Sequence, residues 1–354
     1  MSGKAIIAMS GGVDSSVAAC LMGEQGFQCI GVTFKLFTSE AIGDTRRSCC
    51  SALDVEDARQ AARKLGMPHY TINAVEDFKR HVIERFIAVY REGATPNPCI
   101  DCNRHLKFKR LLLLARQLDF EALATGHYAR IAKAGDRFLL KKARDPKKDQ
   151  SYALYTATQD QLARLRFPLG GFNKQEVREI ARKRGLGTAE KQDSQDICFV
   201  PDGDYAAFIE RYTGEIAEGG DIIDEQGTVL GRHRGLIRYT IGQRRGLGLA
   251  FPEKRYVAAK SVAANTLTLA PETSLYTKTL TADRINLIAC AGLSSPLRVK
   301  VKTRYLQAEQ DGMAEQTGPD TLRVVFDQPQ RAVTAGQAVV LYDGDVVIGG
   351  GTIL

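Results

Sequence analysis

The sequence predicts a parallel-sheet α/β domain, followed by a small mixed domain and a C-terminal β-barrel. Over the first 200 residues, short apolar runs alternate with stretches whose apolar residues recur at helical spacing, a pattern typical of helices on both faces of a parallel sheet. From residue 201 glycines separate short strand-like runs, and after residue 276 strand follows strand with no helix of any length evident. We therefore expect domains at residues 1–200, 201–276 and 277–354.

Each element of the first domain follows from a local pattern. An apolar run at residues 5–9 is typical of a buried strand, and a glycine-rich turn leads from it into the first helix. Gly66 with Pro68, and later Gly93, predict helix ends. The predicted strands are residues 5–9, 29–34, 70–72 and 122–125, and the predicted helices are residues 15–25, 55–65, 78–90 and 108–115. A hairpin over residues 128–142 is expected to extend the same sheet.

Composition excludes several classes of protein. With 44% hydrophobic and 25% charged residues the chain is neither disordered nor fibrous. No apolar run approaches the ~20 residues of a membrane helix, and the apolar start is too short for a signal peptide, so we expect a cytoplasmic protein without a membrane partner. The 49 basic and 41 acidic residues give a net charge of +8, which favours a polyanionic partner.

Basic residues concentrate in two segments. Residues 231–248 hold five arginines and no acidic residue, a composition suited to phosphate contacts. Alternation along the strand predicted at residues 297–303 places Arg298, Lys300, Lys302 and Arg304 on one face. One such stripe is equally consistent with a solvated strand face, but several basic segments together favour RNA.

The first candidate site is the loop Ser-Gly-Gly-Val-Asp-Ser-Ser at residues 10–16, between the first strand and the first helix. A helix N-terminus offers unpaired N–H groups, and glycines let the backbone approach a phosphate. The loop matches neither G-x-x-x-x-G-K-[ST] nor G-x-G-x-x-G, which disfavours a P-loop NTPase and a simple dinucleotide fold. An ordinary glycine-rich turn is the alternative interpretation.

The eight cysteines are too few for a disulfide scaffold, but their spacing is informative. Cys99 and Cys102 form a C-x-x-C motif, and Cys198 lies in a distant segment. In a reducing compartment such spacing indicates redox, sulfur or metal chemistry. The adjacent pair Cys49 and Cys50 is interpreted as a loop pair without chemistry.

Several motifs resemble known families. The loop at residues 10–16 resembles the PP-loop of enzymes that split ATP between the α- and β-phosphates. The string Thr-Pro-Asn-Pro-Cys-Ile-Asp-Cys-Asn at residues 95–103 resembles the tRNA-specific 2-thiouridylases. Further strings resemble the same family in the same order, at residues 124–129, 148–152, 193–199, 231–235 and 239–248. The resemblance spans nearly the whole chain and implies an adenine-nucleotide alpha-hydrolase-like, Rossmann-like first domain.

This resemblance implies exchange of oxygen for sulfur at C2 of the wobble uridine, U34, in tRNA(Lys), tRNA(Glu) and tRNA(Gln). ATP would adenylate the C2 oxygen, and sulfur would then displace AMP. Mg²⁺ is expected to bridge the ATP phosphates, with Asp14 as a plausible ligand. Base flipping is also expected, since C2 of a stacked base is hard to reach.

The resemblance also assigns site residues. The ATP-binding residues would be Ala8, Met9, Ser10, Gly11, Gly12, Val13, Asp14, Ser15, Phe34 and Gly126. The tRNA-binding residues would be Asn97, Pro98, Cys99, Lys148, Asp149, Gln150, Arg304 and Tyr305. Cys102 matches the nucleophile and Cys198 the residue that carries persulfide. His127 fits a structural role as well as a catalytic one.

The cysteines leave two mechanisms open, because many family members carry aspartate where this chain has Cys99. In one, Cys198 accepts sulfur from a cysteine desulfurase or relay protein, and a Cys102–Cys198 disulfide forms on its release. In the other, which we favour because C-x-x-C in place of aspartate-x-x-Cys is expected of such enzymes, Cys99, Cys102 and Cys198 hold a [4Fe–4S] cluster whose fourth iron binds inorganic sulfide. A zinc site that adds His105 would not explain sulfur chemistry.

Two other functions compete with tRNA thiolation. An amidotransferase-type synthetase would explain the phosphate loop but not the C-x-x-C motif. A non-catalytic tRNA-binding protein would be expected to have a decayed phosphate loop, whereas Ser10, Gly11, Gly12, Asp14 and Ser15 are all present.

Overall fold

A five-stranded parallel sheet of order β3-β2-β1-β4-β7 forms the centre of the N-terminal domain. A computed structural model describes residues 3–38, 52–191 and 197–354; Cys49, Cys50 and residues 193–196 of the sequence motif lie outside the described residues. The strands are β1 (Lys4–Ala8), β2 (Gln28–Lys35), β3 (His69–Asn73), β4 (Ala122–Thr125) and β7 (Leu165–Arg166). Since Ala5, Ile6 and Ile7 are fully buried, the apolar run of β1 does form a central strand.

The helices of this domain cover the sheet, and two of them are interrupted by π-helical turns. They are α1 (Val13–Glu24), α2 (Ala52–Lys64), α3 (Val75–Phe78), α4 (Glu84–Arg91), α5 (Pro98–Asp101), α6 (Leu111–Gln117), α7 (Ser151–Leu154), α8 (Gln159–Arg164) and α9 (Lys174–Lys183). The π-helical turns Lys79–Ile83 and Cys102–Arg110 join α3 to α4 and α5 to α6. A 3₁₀ turn, Pro168–Gly171, precedes α9. π-Helical turns often mark functional sites.

The hairpin of β5 (Arg130–Ala134) and β6 (Arg137–Lys141) corrects the sequence analysis. We expected it to extend the parallel sheet, but β6 pairs with the last strand of the C-terminal barrel, β17 (Val346–Ile353). The side chain of Arg130 reaches Asp345 at 2.8 Å, and Arg137 Nε donates to the carbonyl of Ile288 at 3.0 Å. The hairpin therefore belongs to the barrel sheet and connects it to the N-terminal domain.

The central domain starts with a helix that the sequence analysis missed, α10 (Tyr205–Thr213). Asp204 accepts a hydrogen bond from the Ala207 N–H at 2.9 Å, and Gly214 ends the helix at φ 73°. A four-stranded sheet of order β10-β11-β8-β9 follows. Its strands are β8 (Gly220–Ile223), β9 (Val229–His233), β10 (Tyr256–Ser261) and β11 (Thr266–Ala270), with 3₁₀ turns at Leu236–Arg238 and Glu272–Leu275.

Six antiparallel strands close the C-terminal barrel, as the sequence predicts. They are β12 (Tyr276–Leu287), β13 (Leu297–Lys302), β14 (Gln310–Gly318), β15 (Thr321–Arg331), β16 (Ala338–Asp343) and β17 (Val346–Ile353). The order β12-β15-β14-β13-β16-β17 becomes a ring because β17 also pairs with β12. Alternate residues of β15 (Leu322, Val324, Phe326) are buried inside it.

No helix within the described residues is long and apolar enough to span a bilayer.

Candidate active site

The phosphate loop joins β1 to α1 and is shaped by its own side chains. Gly12 is the N-cap of α1. The Ser10 N–H donates to Ser15 Oγ at 3.1 Å, and the hydroxyls of Ser15 and Ser16 donate to the Gly12 carbonyl at 3.1 and 3.0 Å. These bonds fix the loop while the first N–H groups of α1 point out of the helix end, the arrangement that binds anions.

Two glycines are required where other segments press on this loop. Gly11 has φ +73°, and a Cβ there would lie 2.1 Å from the carbonyl oxygen of Asp54. A Cβ on Gly126, which follows β4, would lie 2.7 Å from the backbone nitrogen of Ser15. A side chain at either position would push the loop away from its place.

Asp14 lies in the first turn of α1 and is neutralised by a lysine distant in sequence. Lys174 Nζ lies 2.8 Å from both carboxylate oxygens, and the Tyr128 hydroxyl donates to one of them at 2.7 Å. The carboxylate is therefore engaged by protein donors and does not fit the metal-ligand role considered above. Mg²⁺ would instead enter as part of the MgATP substrate.

A second lysine, Lys191, fastens the other side of the loop. Its Nζ lies 3.1 Å from the Gly11 carbonyl oxygen, 2.6 Å from Asp54 and 2.5 Å from Asp57. Burial lowers the pKa of this lysine, but its two carboxylate partners outweigh burial and raise it overall, so the ammonium stays charged. The nucleotide loop, α2 and the chain leading to Cys198 thus meet at one cation.

Phe34 and His127 lie beside the loop in buried surroundings. Phe34, on β2, is 9% exposed, and the Arg110 guanidinium lies 5.7 Å from its ring centre. His127 Nδ1 lies 2.7 Å from Thr125 Oγ1. Burial, with a contribution from Lys107, lowers the pKa of His127 well below its usual value, so the imidazole is neutral at physiological pH. These contacts favour a structural role for His127.

The segment with two of the cysteines begins at Asn97, the N-cap of α5, and Pro98 occupies the first helical position. Cys99 is exposed, whereas Cys102, one turn later, is 8% exposed. Between them Ile100 packs into the main core and Asp101 lies 3.1 Å from Arg85. The short helix therefore presents one thiol to solvent and withdraws the other.

Cys198 approaches the same core as Cys102. Cys102 is part of the largest buried cluster, and the half-buried Cys198 packs against that cluster. The adjacent Phe199 is anchored by edge contacts to Phe78 and Phe86, with ring centres 5.6 and 5.2 Å apart. Both cysteines therefore border the main core, although they come from distant parts of the sequence.

The cysteines do not form a metal centre in this arrangement. Across residues 3–38, 52–191 and 197–354, no three His, Cys, Asp or Glu side chains are grouped closely enough to hold a metal ion. His105, the further ligand considered for zinc, instead stacks on His81 with ring centres 4.8 Å apart. The arrangement of the described residues therefore does not fit the three-thiolate cluster site that was predicted.

Several predicted tRNA-binding side chains are used inside the protein. Asp149 accepts from the Ala143 N–H at 2.9 Å and from the Ser151 hydroxyl at 2.7 Å. Gln150 accepts from the Tyr128 N–H at 2.9 Å. Lys148 is half-buried beside them. These residues shape the segment before α7, which limits what their side chains offer to RNA.

The barrel contributes Arg304 and Tyr305. The half-buried Arg304 donates to the carbonyl of Ala332 and to Thr334 Oγ1. Tyr305 is 36% exposed, and its ring centre lies 6.1 Å from that of the buried Tyr152. Burial raises the pKa of Tyr305, and the negative charges of Asp149 and Cys99 add to this effect.

Arg298, Lys300 and Lys302 do alternate along β13, whereas Arg304, predicted on the same face, lies beyond the strand end at Lys302. Part of the charge on this face is neutralised. Arg298 pairs with Asp327 at 2.8 Å, and Lys300 pairs with Asp311 at 2.8 Å. In the central domain Arg244 and Arg245 are exposed, and neither is paired with a carboxylate among the described residues. The better candidate for a phosphate surface is therefore the central domain.

Lys174 and Lys191 were not identified from the sequence. Lys174 lies 160 residues along the chain from Asp14, and Lys191 lies 180 residues from Gly11. The one local signal is that Lys174 opens a helix after an Asn-capped turn, which says nothing about Asp14.

Comparisons with known proteins agree with this architecture. Three family models match in succession: "tRNA methyl transferase HUP domain" at residues 3–202, "tRNA methyl transferase PRC-barrel domain" at 206–271 and "Aminomethyltransferase beta-barrel domain" at 277–353. They correspond to the parallel-sheet domain, the central sheet and the closed barrel.

Full-length relatives have a more specific name. The chain is similar to "tRNA-specific 2-thiouridylase MnmA" of Clostridioides difficile, at 47% identity over 100% of this chain and 98% of the relative. The protein of that name from Heliobacterium modesticaldum is 48% identical over 99% of this chain and 92% of the relative. A solved 4-thiouridine synthetase–RNA complex with bound ATP matches at 22% identity with a TM-score of 0.35. The match covers 56% of this chain and 45% of that chain.

Proposed function

The chain belongs to the tRNA-specific 2-thiouridylase family and is a tRNA sulfurtransferase, and from this premise we propose that it thiolates C2 of the wobble uridine in tRNA(Lys), tRNA(Glu) and tRNA(Gln). The observation that carries the proposal is the formed phosphate loop, in which Gly11 and Gly126 leave room for no side chain. A loop of this kind at a helix N-terminus is suited to binding the phosphates of ATP.

ATP would bind with its phosphates at the N-terminus of α1. The proposed contacts are those predicted from the sequence: Ala8, Met9, Ser10, Gly11, Gly12, Val13, Asp14, Ser15, Phe34 and Gly126. The uridine C2 oxygen attacks the α-phosphorus, pyrophosphate leaves, and AMP becomes the leaving group at C2. The Lys174–Asp14 pair supports this role, because an uncompensated carboxylate at this helix end would repel the phosphates.

Sulfur would arrive on Cys198 as a persulfide from a cysteine desulfurase or relay protein. The terminal sulfur attacks C2 and expels AMP. The Cys102 thiolate then attacks the Cys198 sulfur, releases the 2-thiouridine and leaves a Cys102–Cys198 disulfide, which an external thiol reduces. That both cysteines border the main core supports this sequence of steps. Cys99, being exposed, serves as an alternative resolving thiol or not at all.

For tRNA we propose contacts at Asn97, Pro98 and Cys99 for the target base, with Lys148, Asp149, Gln150, Arg304 and Tyr305 around them. The exposed Arg244 and Arg245 add phosphate contacts. The proposed domain limits stay at residues 1–200, 201–276 and 277–354, close to the ranges of the three family models.

Pyrophosphate release tests the first step. It should require unmodified tRNA as well as ATP, and it should persist without a sulfur donor. Release that does not depend on tRNA would favour a small-molecule synthetase and contradict the proposal.

Iron analysis tests the sulfur carrier. Protein purified without oxygen should contain little iron and should thiolate tRNA from a persulfide donor. Iron and acid-labile sulfide near four of each per chain would instead identify a [4Fe–4S] enzyme that uses Cys99, Cys102 and Cys198, with inorganic sulfide as donor.

A further inference from the structure

The segment that leads into the cysteine helix α5 is held by the C-terminal barrel. The Thr95 N–H donates to the Ala335 carbonyl at 2.9 Å. The Gln337 amide, Nε2, donates to the carbonyls of Thr95 and Pro96 at 2.9 and 3.3 Å. Three hydrogen bonds therefore join the start of the cysteine segment to one turn between β15 and β16.

This turn is itself firmly placed. Thr334 Oγ1 donates to the Ala332 carbonyl at 2.9 Å, and the Gly336 N–H donates to the Ile353 carbonyl at 2.8 Å. Gly336 has φ +85°, and a Cβ there would lie 3.0 Å from the Thr95 oxygen. Turn and segment are thus in close backbone contact, and the turn can transmit position to the segment.

The sequence of the segment makes Gln337 important. Pro96 and Pro98 have no N–H and restrict their own backbone and that of the residue before them. Because the segment is stiff, a rotation of the backbone at Thr95 also moves α5, and with it Cys99 and the adjacent Cys102. The carbonyls of Thr95 and Pro96 also need donors, and Gln337 supplies both.

Arg304 binds the same turn from the other side. Its guanidinium donates to the Ala332 carbonyl and to Thr334 Oγ1 at 3.3 Å. Arg304, which is expected to contact tRNA, therefore binds the same turn between β15 and β16 as the segment that leads to the cysteines.

We propose that Gln337 is a positioning residue for thiolation: by fixing the Thr95–Pro96 backbone it sets where α5 places Cys99 toward the target base and where Cys102, directly after α5, lies relative to Cys198. The inference rests on the proposed function. Misplacement of a reacting group by about 1 Å costs up to about 100-fold in rate, so we expect loss of Gln337 to slow single-turnover thiolation about tenfold. Dissociation constants for ATP and tRNA should change less than about twofold, since the amide donates to the Thr95 and Pro96 carbonyls and Gln337 is not among the proposed ATP or tRNA contacts.

The test compares Gln337→Ala with Gln316→Ala. Gln316 is a matched control in the same barrel, since its side chain also bonds main-chain groups, at Leu293 and Pro319. Thiolation by Gln337→Ala should fall about tenfold while Gln316→Ala stays within about twofold of wild type. Equal rates in the two variants would overturn the proposal.

Thiol alkylation gives a readout that does not need activity. Cys102 is buried, so iodoacetamide should label it slowly, and Gln337→Ala should raise that rate several-fold while Gln316→Ala does not. If wild-type protein fails to thiolate tRNA but Cys102 labelling follows this pattern, the proposed function fails and the positioning role stands. Labelling that is unchanged in Gln337→Ala would refute the positioning role.

Gln337→Glu separates positioning from mere packing. Ionised glutamate has no proton to donate to either carbonyl, whereas protonated glutamate has one O–H and can donate to one of them. The thiolation rate of this variant relative to wild type should therefore rise as pH falls from 8 towards 5, while the ratio for Gln337→Ala stays flat. A flat ratio for both variants would count against the hydrogen bonds as the cause.

Discussion

The phosphate loop and the cysteine region are built in different ways. The loop is contiguous, and its serines bond to groups at most five residues away. The cysteine region combines α5, the start of a π-helical turn, the distant Cys198 and a turn of the barrel at Gln337. The hydrogen bonds that shape the phosphate loop are therefore encoded in one local segment, whereas the cysteine region is assembled by tertiary structure.

This difference has a mutational consequence. Damage to the phosphate loop should weaken ATP binding and leave the thiols reactive. Damage to the cysteine region should stop sulfur transfer and leave ATP binding intact. Each prediction below would break or sharpen that separation.

The largest effect is expected for Cys102→Ser and Cys198→Ser. Each should lower the thiolation rate by at least about 1,000-fold, because a hydroxyl can neither carry persulfide nor resolve it. ATP binding, measured by calorimetry, should not change. Cys290→Ser is the matched control: burial raises the pKa of this thiol, so it is poorly reactive, and the variant should retain full activity. Loss of ATP binding in either active-site variant would break the separation of the two regions.

The next largest effect is expected for Gly126→Ala. The new Cβ would meet the Ser15 nitrogen at 2.7 Å, so the loop must shift, and we expect the KM for ATP to rise about 100-fold. Persulfide loading of Cys198 should be normal. Gly23→Ala is the control, because Gly23 lies in α1 with nothing within 4 Å, and alanine should stabilise the helix by about 0.5–1 kcal/mol. Equal KM values for the two variants would contradict the packing argument.

Local pattern predicted those parts of the fold whose environment is also local. The run that forms β1 is buried as expected, and the strands predicted after residue 276 do close into a barrel. The β5–β6 hairpin was recognised, but its sheet was wrong, because a strand pattern does not specify which edge the strand pairs with. Helix α10 was missed because neighbouring glycines suggested only strands and turns.

The site divides along the same line. The loop at residues 10–16 was identified because glycines and serines in that spacing have a direct physical use. Lys174 and Lys191 were not, since an isolated lysine carries no local signal of the carboxylate it will meet. The neutralising partners of Arg298 and Lys300 come from other strands, so the alternation of β13 overstated the available charge.

A smaller effect is expected on tRNA affinity. The double variant Arg244→Gln/Arg245→Gln should weaken tRNA binding about tenfold and reduce the slope of log K against log salt by about 1 to 2, since each exposed arginine releases about one counterion. Arg298→Gln, whose charge is already paired with Asp327, should weaken binding less than about twofold. Filter binding at several salt concentrations measures both. The reverse ranking would move the phosphate surface to the barrel.

The smallest effect concerns acid stability, which we expect to originate partly in the cysteine region. His105 lies one turn after Cys102 and stacks on His81. Burial, the charge of His81 and the neighbouring Arg104, Arg85 and Lys109 lower the pKa of His105 to about 4. The folded protein therefore keeps this imidazole neutral at pH values where the unfolded chain protonates it.

The lowered pKa of His105 makes the free energy of unfolding depend on pH. Between pH about 6.5 and about 4 the unfolded chain binds more protons at His105 than the folded protein does, so this residue makes the free energy of unfolding fall as pH falls through that window. Because the ring is half-buried and screened by solvent, we expect about 1 kcal/mol in total. Urea unfolding at pH 7.5, 6 and 5 should show a shallower pH dependence for His105→Gln than for wild type. Parallel curves for variant and wild type would mean that the acid sensitivity arises outside the cysteine region. A variant that loses this pH dependence but keeps its KM for ATP would mean that the acid sensitivity arises in the cysteine region alone.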